Sequence, residues 1–488
     1  MARVVVIGAG VGGLAAAARL AAQGHRVAVH ERAPTHGGKL GEYRRDGFTF
    51  DTGPSLLTLP QVFTDLFAAT GGPADLEIEP VDPVCGYRFA DGTRLDLPFD
   101  PAAVPAALDA ALGPGSGAAW QALHDRSARL WDLVGEPVLH RPLRARDLAR
   151  FSARLRDLRV VAPWLTVRGL GEQLLPDPRL RMWLDRYATY SGSDPRRAPS
   201  VLSVTSYVEQ RFGAWWVRGG LRRLGDALLE RCRALGVAVH LDSAVAGITT
   251  SGRRVSGVQL ADGRPVPADV VVSDADARVL YDRLLPRRAA AVRAVLRRTP
   301  VSSAGFVLLL ALDGAGVRRP AHRIWFPPDY DAEFDALFRR PEPVSDPTVY
   351  VHSPADPAMA RADGEAWFVL VNAPVHERGR GVDWDAPGLR ERYADRVLEV
   401  LACRGEDVRD RIRWREIRTP ADLERDAAAP GGAIYGTASH GMLAALLRPA
   451  NRSPVPGLYL VGGSAHPGGG LPIVALSAKI VADLVGPA

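Results

Sequence analysis

The sequence predicts an α/β protein: a Rossmann-like nucleotide domain with a parallel sheet, joined to an α+β substrate domain and a helical region. Three observations carry this. Residues 3–31 read strand, glycine-rich turn, helix, strand; residues 270–276 read as a buried strand ending in a polar cluster; and the last 32 residues read strand, glycine-rich loop, helix.

The first unit opens with the β-branched run Arg3 to Ile7, continues through Gly8, Gly10, Gly12 and Gly13 into the alanine-rich stretch Leu14 to Gln23, stops at Gly24, and resumes at Arg26 to His30. Gly8, Gly10 and Gly13 form a G-x-G-x-x-G turn: a tight bend, a close approach for a pyrophosphate, and close helix–strand packing, with phosphates on the helix N-terminus. Glu31, 18 residues beyond Gly13, is placed to accept from ribose hydroxyls and repels a 2′-phosphate, which favours FAD or NAD over NADP; Arg32 then faces solvent or the adenine. Two more glycine turns follow closely, Gly37-Gly38 before Lys39 and Gly53-Pro54-Ser55 after Phe48 to Thr52. So many presented N–H groups suit a longer ligand, and FAD extends past its pyrophosphate into a ribityl chain and a flavin.

Composition sets limits on this reading. With 488 residues, 47% hydrophobic and 24% charged, the chain is an ordinary globular one, too long for a small binding module. The formal charge is +6, and only Lys39 and Lys479 among the 61 basic residues are lysines, so the basic balance mostly reports arginine usage. Cys85, Cys232 and Cys403 stand over a hundred residues apart with no C-x-x-C pair; neither a disulfide framework nor a metal site is expected, and a reducing, cytoplasmic compartment fits. The stretch Val4 to Ala22 is interrupted by four glycines and Arg19, and no other run offers ~18 uncharged apolar residues, so no helical membrane span is expected.

The run from Glu31 through Gly37, Gly38 and Lys39 resembles the E-x5-G-G-[RK] motif of the FAD-dependent amine-oxidase and phytoene-desaturase superfamily. That resemblance implies a glutathione-reductase/amine-oxidase type of fold, with FAD as cofactor and Lys39 near the flavin or its phosphates. Trp215 to Leu221, an amphipathic helix, and the hairpin-like segment Val237 to Asp262 would then return to the FAD domain, the backbone of Val245 contacting the adenine. At the C-terminus, Gly457 to Val461 is a strand, Gly462 to Leu471 a loop with Pro472 in the first helical turn, and Ile473 to Val485 a helix. Its N–H groups suit the negative charge that develops on a reduced flavin.

The loop Gly462-Gly463-Ser464-Ala465-His466-Pro467-Gly468-Gly469-Gly470-Leu471-Pro472 is similar to that of the bacterial carotenoid desaturases, their hydroxycarotenoid 3,4-desaturase branch above all. Residues 184–195, 207–210 and 435–441 extend the similarity over essentially the whole chain. Gly463 stands where many other FAD oxidases carry an acid for the ribityl chain, and carotenoid desaturases share this departure. The architecture implied is an FAD domain from 1–75, 215–290 and 450–488, a substrate domain from 76–114 and 291–449, and a helical, membrane-associated region over 115–214. The Pro- and Arg-rich run Arg318 to Pro347 reads as irregular surface.

Between Arg141 and Arg159 seven arginines face two aspartates, which places +5 of the net charge in nineteen residues. Leu148, Phe151, Leu155 and Leu158 make one apolar stripe on this basic helix and Trp164 follows, a pattern suited to peripheral contact with an anionic membrane on the inner face of the cell membrane. A surface helix packed on the core is the competing reading, and no motif supports nucleic acid as a partner.

The function implied is FAD-dependent desaturation of an acyclic carotenoid, at C-3,4 of a 1-hydroxylated one, with phytoene or a C30 polyene as the neighbouring option. A soluble flavin amine oxidase and a non-catalytic lipid-escort protein are the readings from other classes. Hydride passes to flavin N5 while the polyene delocalises the cation, so the protein supplies an apolar tunnel, water exclusion and a weak base. No base is assigned; His466 is the candidate for a catalytic contact, with His440 beside it, and Tyr187, Tyr190, Trp215 and Trp216 are candidates for the tunnel wall. The electron acceptor, a quinone or O2, is left open.

Overall fold

The computed structural model describes residues 1–142, 155–285, 288–314, 319–442 and 444–488. Five parallel strands form one sheet in the order Leu458–Leu460, Val270–Ser273, Arg3–Ile7, Arg26–His30, Ala238–His240, so distant stretches of chain meet at its centre. Successive side chains of a strand point to opposite faces. Val4 and Val6 pack with the helices Val11–Ala22, Arg222–Ala234 and Leu471–Val485, whereas Val5 and Ile7 pack with an antiparallel meander of Val245–Ser251, Arg254–Leu260 and Pro265–Pro267. Both faces are covered, which is why these strands read as valine runs and not as alternating patterns. The expected hairpin over Val237 to Asp262 is divided: Ala238–His240 joins the parallel sheet at its edge, and pairing begins anew at Val245.

A second sheet has seven strands in the order Ile412–Arg418, Ala304–Asp313, Gly364–Ala373, Val349–His352, His322–Trp325, Cys85–Arg88, Arg94–Leu97. All neighbours are antiparallel except His322–Trp325 with Cys85–Arg88. Phe306, Leu308, Leu310 and Leu312 face the core under helix Leu389–Cys403, and Gly305 and Val307 on the opposite face line the cavity described below. The run Arg318 to Pro347 is not irregular surface: it supplies the interior strand His322–Trp325 and the buried helix Tyr330–Phe338. Its prolines fall outside those elements, with Pro327 and Pro328 after the strand and Pro341 after the helix, so they punctuate the structure without breaking it.

Helices Ser116–Leu139, Leu155–Val161, Val167–Leu174, Pro178–Thr189 and Val204–Phe212 form the third region. Trp215–Val217 pairs with Ile78–Pro80 in a separate two-stranded ribbon. Among the described residues no helix is long and apolar enough to cross a membrane. Of the basic stretch Arg141 to Arg159, residues 143–154, with Leu148, Arg150, Phe151 and Arg154, lie outside the described residues.

Candidate active site

One cavity of about 1650 Å³ runs from the first glycine turn to the seven-stranded sheet. Gly8, Gly10, Gly12, Glu31, Arg32, Gly37, Gly38, Lys39, Gly53, Pro54, Ser55, Val245, Gly463, Gly470, Leu471 and Pro472 all line it. Gly13 and Gly462 do not; they serve packing. A Cβ on Gly13 would meet the Gly8 carbonyl oxygen at 2.1 Å, so the helix can lie this close to the strand only without a side chain there. Gly462 has φ +93°, and a Cβ on Gly12 would come within 3.1 Å of its backbone. The two glycine segments are thus pressed together, leaving exposed backbone on the cavity side, a cradle that suits a dinucleotide.

Glu31 is held by two backbone donors, Ala9 N–H to Oε2 at 2.7 Å and Ala33 N–H to Oε1 at 2.8 Å, which fixes its carboxylate at the end of the second strand. Arg32 is turned away from that carboxylate, its guanidinium donating to the carbonyls of Arg425 and Asp426. Lys39, half-buried in the cavity wall, donates to the carbonyls of Ala433 (3.0 Å) and Ile434 (2.5 Å); burial lowers its pKa while Asp276 and Asp274 oppose that. Asp51 accepts from Leu221 N–H (2.8 Å) and Arg222 N–H (2.9 Å), tying the Phe48–Asp51 strand to the start of helix Arg222–Ala234.

Two residues at this end were not singled out by sequence. Asp274 follows the strand Val270–Ser273, and its carboxylate lies directly against Gly10, Gly12 and Gly462. Burial pushes its pKa up to about 7 and Glu31 adds to the rise, against the Gly13 N–H and Lys39. The signal was present, a carboxylate right after a buried strand of three valines and a serine, but a strand-end aspartate is common at turns. Arg448 donates to the carbonyls of Gly463 (2.7 Å), Thr437 (3.0 Å) and Tyr435 (3.2 Å), clamping the terminal loop to residues 435–437; burial lowers its pKa to about 10. Nothing marks it among the many arginines.

The other end of the cavity is walled by the helices and the large sheet. Trp131, Val134 and Val138 come from Ser116–Leu139, Val204, Val208 and Glu209 from Val204–Phe212, and Val307, Phe368 and Leu370 from the sheet. Tyr187 and Tyr190 line it as expected, and both donate to the Glu209 carboxylate, at 2.8 and 3.2 Å. Tyr350 places its hydroxyl 2.6 Å from Ser55 Oγ and 2.7 Å from His322 Nδ1.

Trp215 and Trp216 are not in the wall: Trp215 donates to the Phe212 carbonyl and Trp216 to Asp356, since the ribbon with Ile78–Pro80 turns them aside. His466 is also not in the cavity wall. Its Nε2 lies 3.1 Å from the Arg141 carbonyl and its carbonyl accepts from Asn451 and Ser477, so it braces the loop while Pro467 and Gly468 reach the cavity. His440 accepts from Asp194 N–H at 2.9 Å and sits at the edge of Phe338, another internal brace.

A glycine-backbone cradle opening into an apolar, aromatic chamber is the site of a flavin-dependent oxidoreductase of the Rossmann type. The model of the flavin-containing amine oxidoreductases matches residues 11–311. The chain is 35% identical to the 4,4'-diapolycopene oxygenase of Methylomonas sp., over 99% of this chain and 98% of that one. It is 30% identical to the 1-hydroxycarotenoid 3,4-desaturase of Flavobacterium sp., over 99% of both. Among solved structures, an oxidoreductase from Methanosarcina mazei superposes with a TM-score of 0.67 at 19% identity, covering 99% of this chain and all of that one (100%). The protein therefore belongs to the flavin-containing amine oxidoreductase family and, within it, to the carotenoid desaturase group. It is an FAD-dependent oxidoreductase. Relatives of different specificity stand at similar identity, so identity alone does not separate their substrates.

Proposed function

We propose that the protein desaturates an acyclic carotenoid at the C-3,4 bond of a 1-hydroxylated end. The observation that carries this reading is one cavity, continuous from the glycine cradle to an apolar chamber with a small polar cluster at the Ser55 turn. Gly8, Gly10, Gly12, Gly37 and Gly38 would hold the pyrophosphate, Glu31 the ribose and Val245 the adenine; Lys39, Gly53 to Ser55 and the loop Gly463 to Pro472 would surround the flavin. When bound, FAD supplies the hydride acceptor. The chain's own part is to hold the polyene in register, with Val208, Val307, Phe368 and Leu370 excluding water from the reacting carbons.

The substrate reaches this chamber, in the proposal, from the cytoplasmic face of the cell membrane through the Arg141 to Arg159 segment. Support comes from the described end of that segment. Val161 and Met442 both line the cavity, Met442 is 61% exposed, and Trp164, just after the helix Leu155–Val161, is 60% exposed. Ser200 N–H bonds the Leu165 carbonyl and Gly441 N–H the Arg197 carbonyl, so both exposed apolar side chains flank residues 197–200. Replacing Arg150, Arg154 and Arg156 with Glu is expected to release the protein from anionic liposomes with FAD still bound; unchanged sedimentation with liposomes sinks the membrane contact.

The test of the reaction is incubation with liposomes carrying phytoene, lycopene or 1-hydroxylated acyclic carotenoids, followed by polyene absorption and mass. A red shift with loss of two hydrogens, confined to the hydroxylated substrates, is expected. No shift with any polyene overturns the reading. The 35% relative favours a second one, oxygenation of a C30 polyene, which the same experiment would report as a gain of oxygen.

A further inference from the structure

We propose that Arg186 reads the oxygenated terminus of the polyene, its guanidinium donating to a neutral hydroxyl or carbonyl oxygen. The inference rests on the carotenoid reading above and deepens it. Arg186 is on helix Pro178–Thr189, is 9% exposed and lines the cavity. An arginine remains protonated in a protein interior, and its five N–H donors need acceptors. Elsewhere in the same region that need is met: Arg168 pairs with Asp185 and Asp331 at 2.6 Å, and Arg448 has its three carbonyls.

Arg186 differs. Among the described residues its guanidinium has no ion pair or hydrogen bond, and its buried Nε is without a partner. The two buried carboxylates that act on it electrostatically are engaged by other donors. Glu209 takes Tyr187 and Tyr190, and Glu333 takes Thr348 N–H at 2.7 Å and Asn372 Nδ2 at 2.8 Å. The rings of Tyr190 and Tyr350, each centred 5.8 Å from Arg186 Cζ, offset its charge without accepting its in-plane N–H groups. Arg323 is also short of acceptors, yet it lies over Trp367 and is not in the cavity wall. A donor left open in an apolar chamber discriminates between a hydrocarbon end and one bearing oxygen. With Glu209 and Glu333 already in its field, a neutral oxygen suits Arg186 better than a further carboxylate.

Position supports the same assignment. Tyr350 separates Arg186 from Ser55, so the guanidinium is one aromatic ring from the Gly53-Pro54-Ser55 turn. In a 1-hydroxylated carotenoid the hydroxyl-bearing carbon is two carbons from C3, so an anchor for that oxygen must lie near the reacting bond and not at the far end of the tunnel.

The test is equilibrium binding to the detergent-solubilised holoenzyme, read by quenching of tryptophan fluorescence, with 1-hydroxylated, terminal-aldehyde and unsubstituted acyclic polyenes of equal length. Wild type is expected to prefer the hydroxylated or aldehyde polyene by roughly 10- to 100-fold, the range for a hydrogen bond to a charged group. In Arg186→Met the preference falls to near unity while the hydrocarbon binds as before and the flavin spectrum is unchanged. Should that variant yield no folded flavoprotein, Arg186→Lys carries the test, with the preference expected to fall at least about fivefold as the planar fork is lost. Equal wild-type affinity for all three polyenes, or a preference that survives in the folded variant, overturns the role of Arg186. Wild type that binds none of the polyenes fails the carotenoid reading itself.

Discussion

The two ends of the cavity are built on opposite principles. At the nucleotide end the wall is backbone, presented by glycines at Gly8, Gly10, Gly12, Gly37 and Gly38, and its side chains are held in place by main-chain partners, as Glu31 is by Ala9 and Ala33. At the polyene end the wall is side chain, and its polar members, Arg186, Tyr190, Glu209, Tyr350 and His322, arrive from two helices and two strands. Backbone walls tolerate no added atoms, whereas side-chain walls tolerate exchange and change what they recognise. Damage at the first end should therefore remove the cofactor, and damage at the second should leave a yellow protein with altered selectivity.

The largest effect is expected at Gly13. Gly13→Ala places a Cβ 2.1 Å from the Gly8 carbonyl oxygen, backbone against backbone, and should cost about 1–3 kcal/mol or more of stability and abolish bound FAD, as read by urea unfolding and flavin absorbance. A stable yellow variant would mean that the helix can move away, and the contrast would weaken. Next is Glu31→Gln, which keeps shape and loses charge; FAD dissociation should rise roughly tenfold by titration of apoprotein, since charge-assisted bonds are worth about 1.5–3 kcal/mol.

A smaller effect concerns pH. The Asp274 carboxyl, with a pKa near 7 in the fold against an ordinary 3.8, is protonated in the folded and ionised in the unfolded chain between about pH 4 and 7. Its contribution to apoprotein stability is thus present below pH 4 and lost as pH rises through 7. Asp274→Asn should remove about one proton from that linkage, flattening the fall in urea midpoint between pH 4.5 and 7; Asp51 and Asp185, also near 7, retain theirs. An unchanged slope would place the Asp274 titration elsewhere. The smallest effect is Tyr350→Phe, which deletes one hydroxyl between Ser55 and His322: full flavin content, with turnover lowered by less than about tenfold. Loss of flavin in this variant would contradict the separation of the two ends.

Legibility in the sequence follows the same division. The nucleotide end was readable because its residues are close in sequence and constrained by backbone geometry: Gly8 to Gly13, Glu31, and Gly37 to Lys39 are one continuous statement. Gly13 was readable as the glycine that lets helix and strand pack closely, whereas Gly462, expected beside the cofactor, packs against Gly12 instead, which only distances show. The polyene end was readable at Tyr187 and Tyr190, one within helix Pro178–Thr189 and the other just after it, but not at Arg186, whose significance lies in partners it lacks. Tyr350 and His322 meet across strands 28 residues apart that carry no motif. His466 misled because its loop was expected beside the flavin, while its ring lies against the Arg141 carbonyl and its own carbonyl is held by Asn451. Prolines misled at residues 318–347 because they bound the elements there.

That one cavity serves both cofactor and polyene is tested most directly by anaerobic mixing of the oxidised holoenzyme with a 1-hydroxylated acyclic carotenoid. The prediction is that the visible flavin band bleaches at the same rate at which the polyene spectrum shifts to the red. A flavin that stays oxidised with every carotenoid, or one bleached by a primary amine instead, would contradict it.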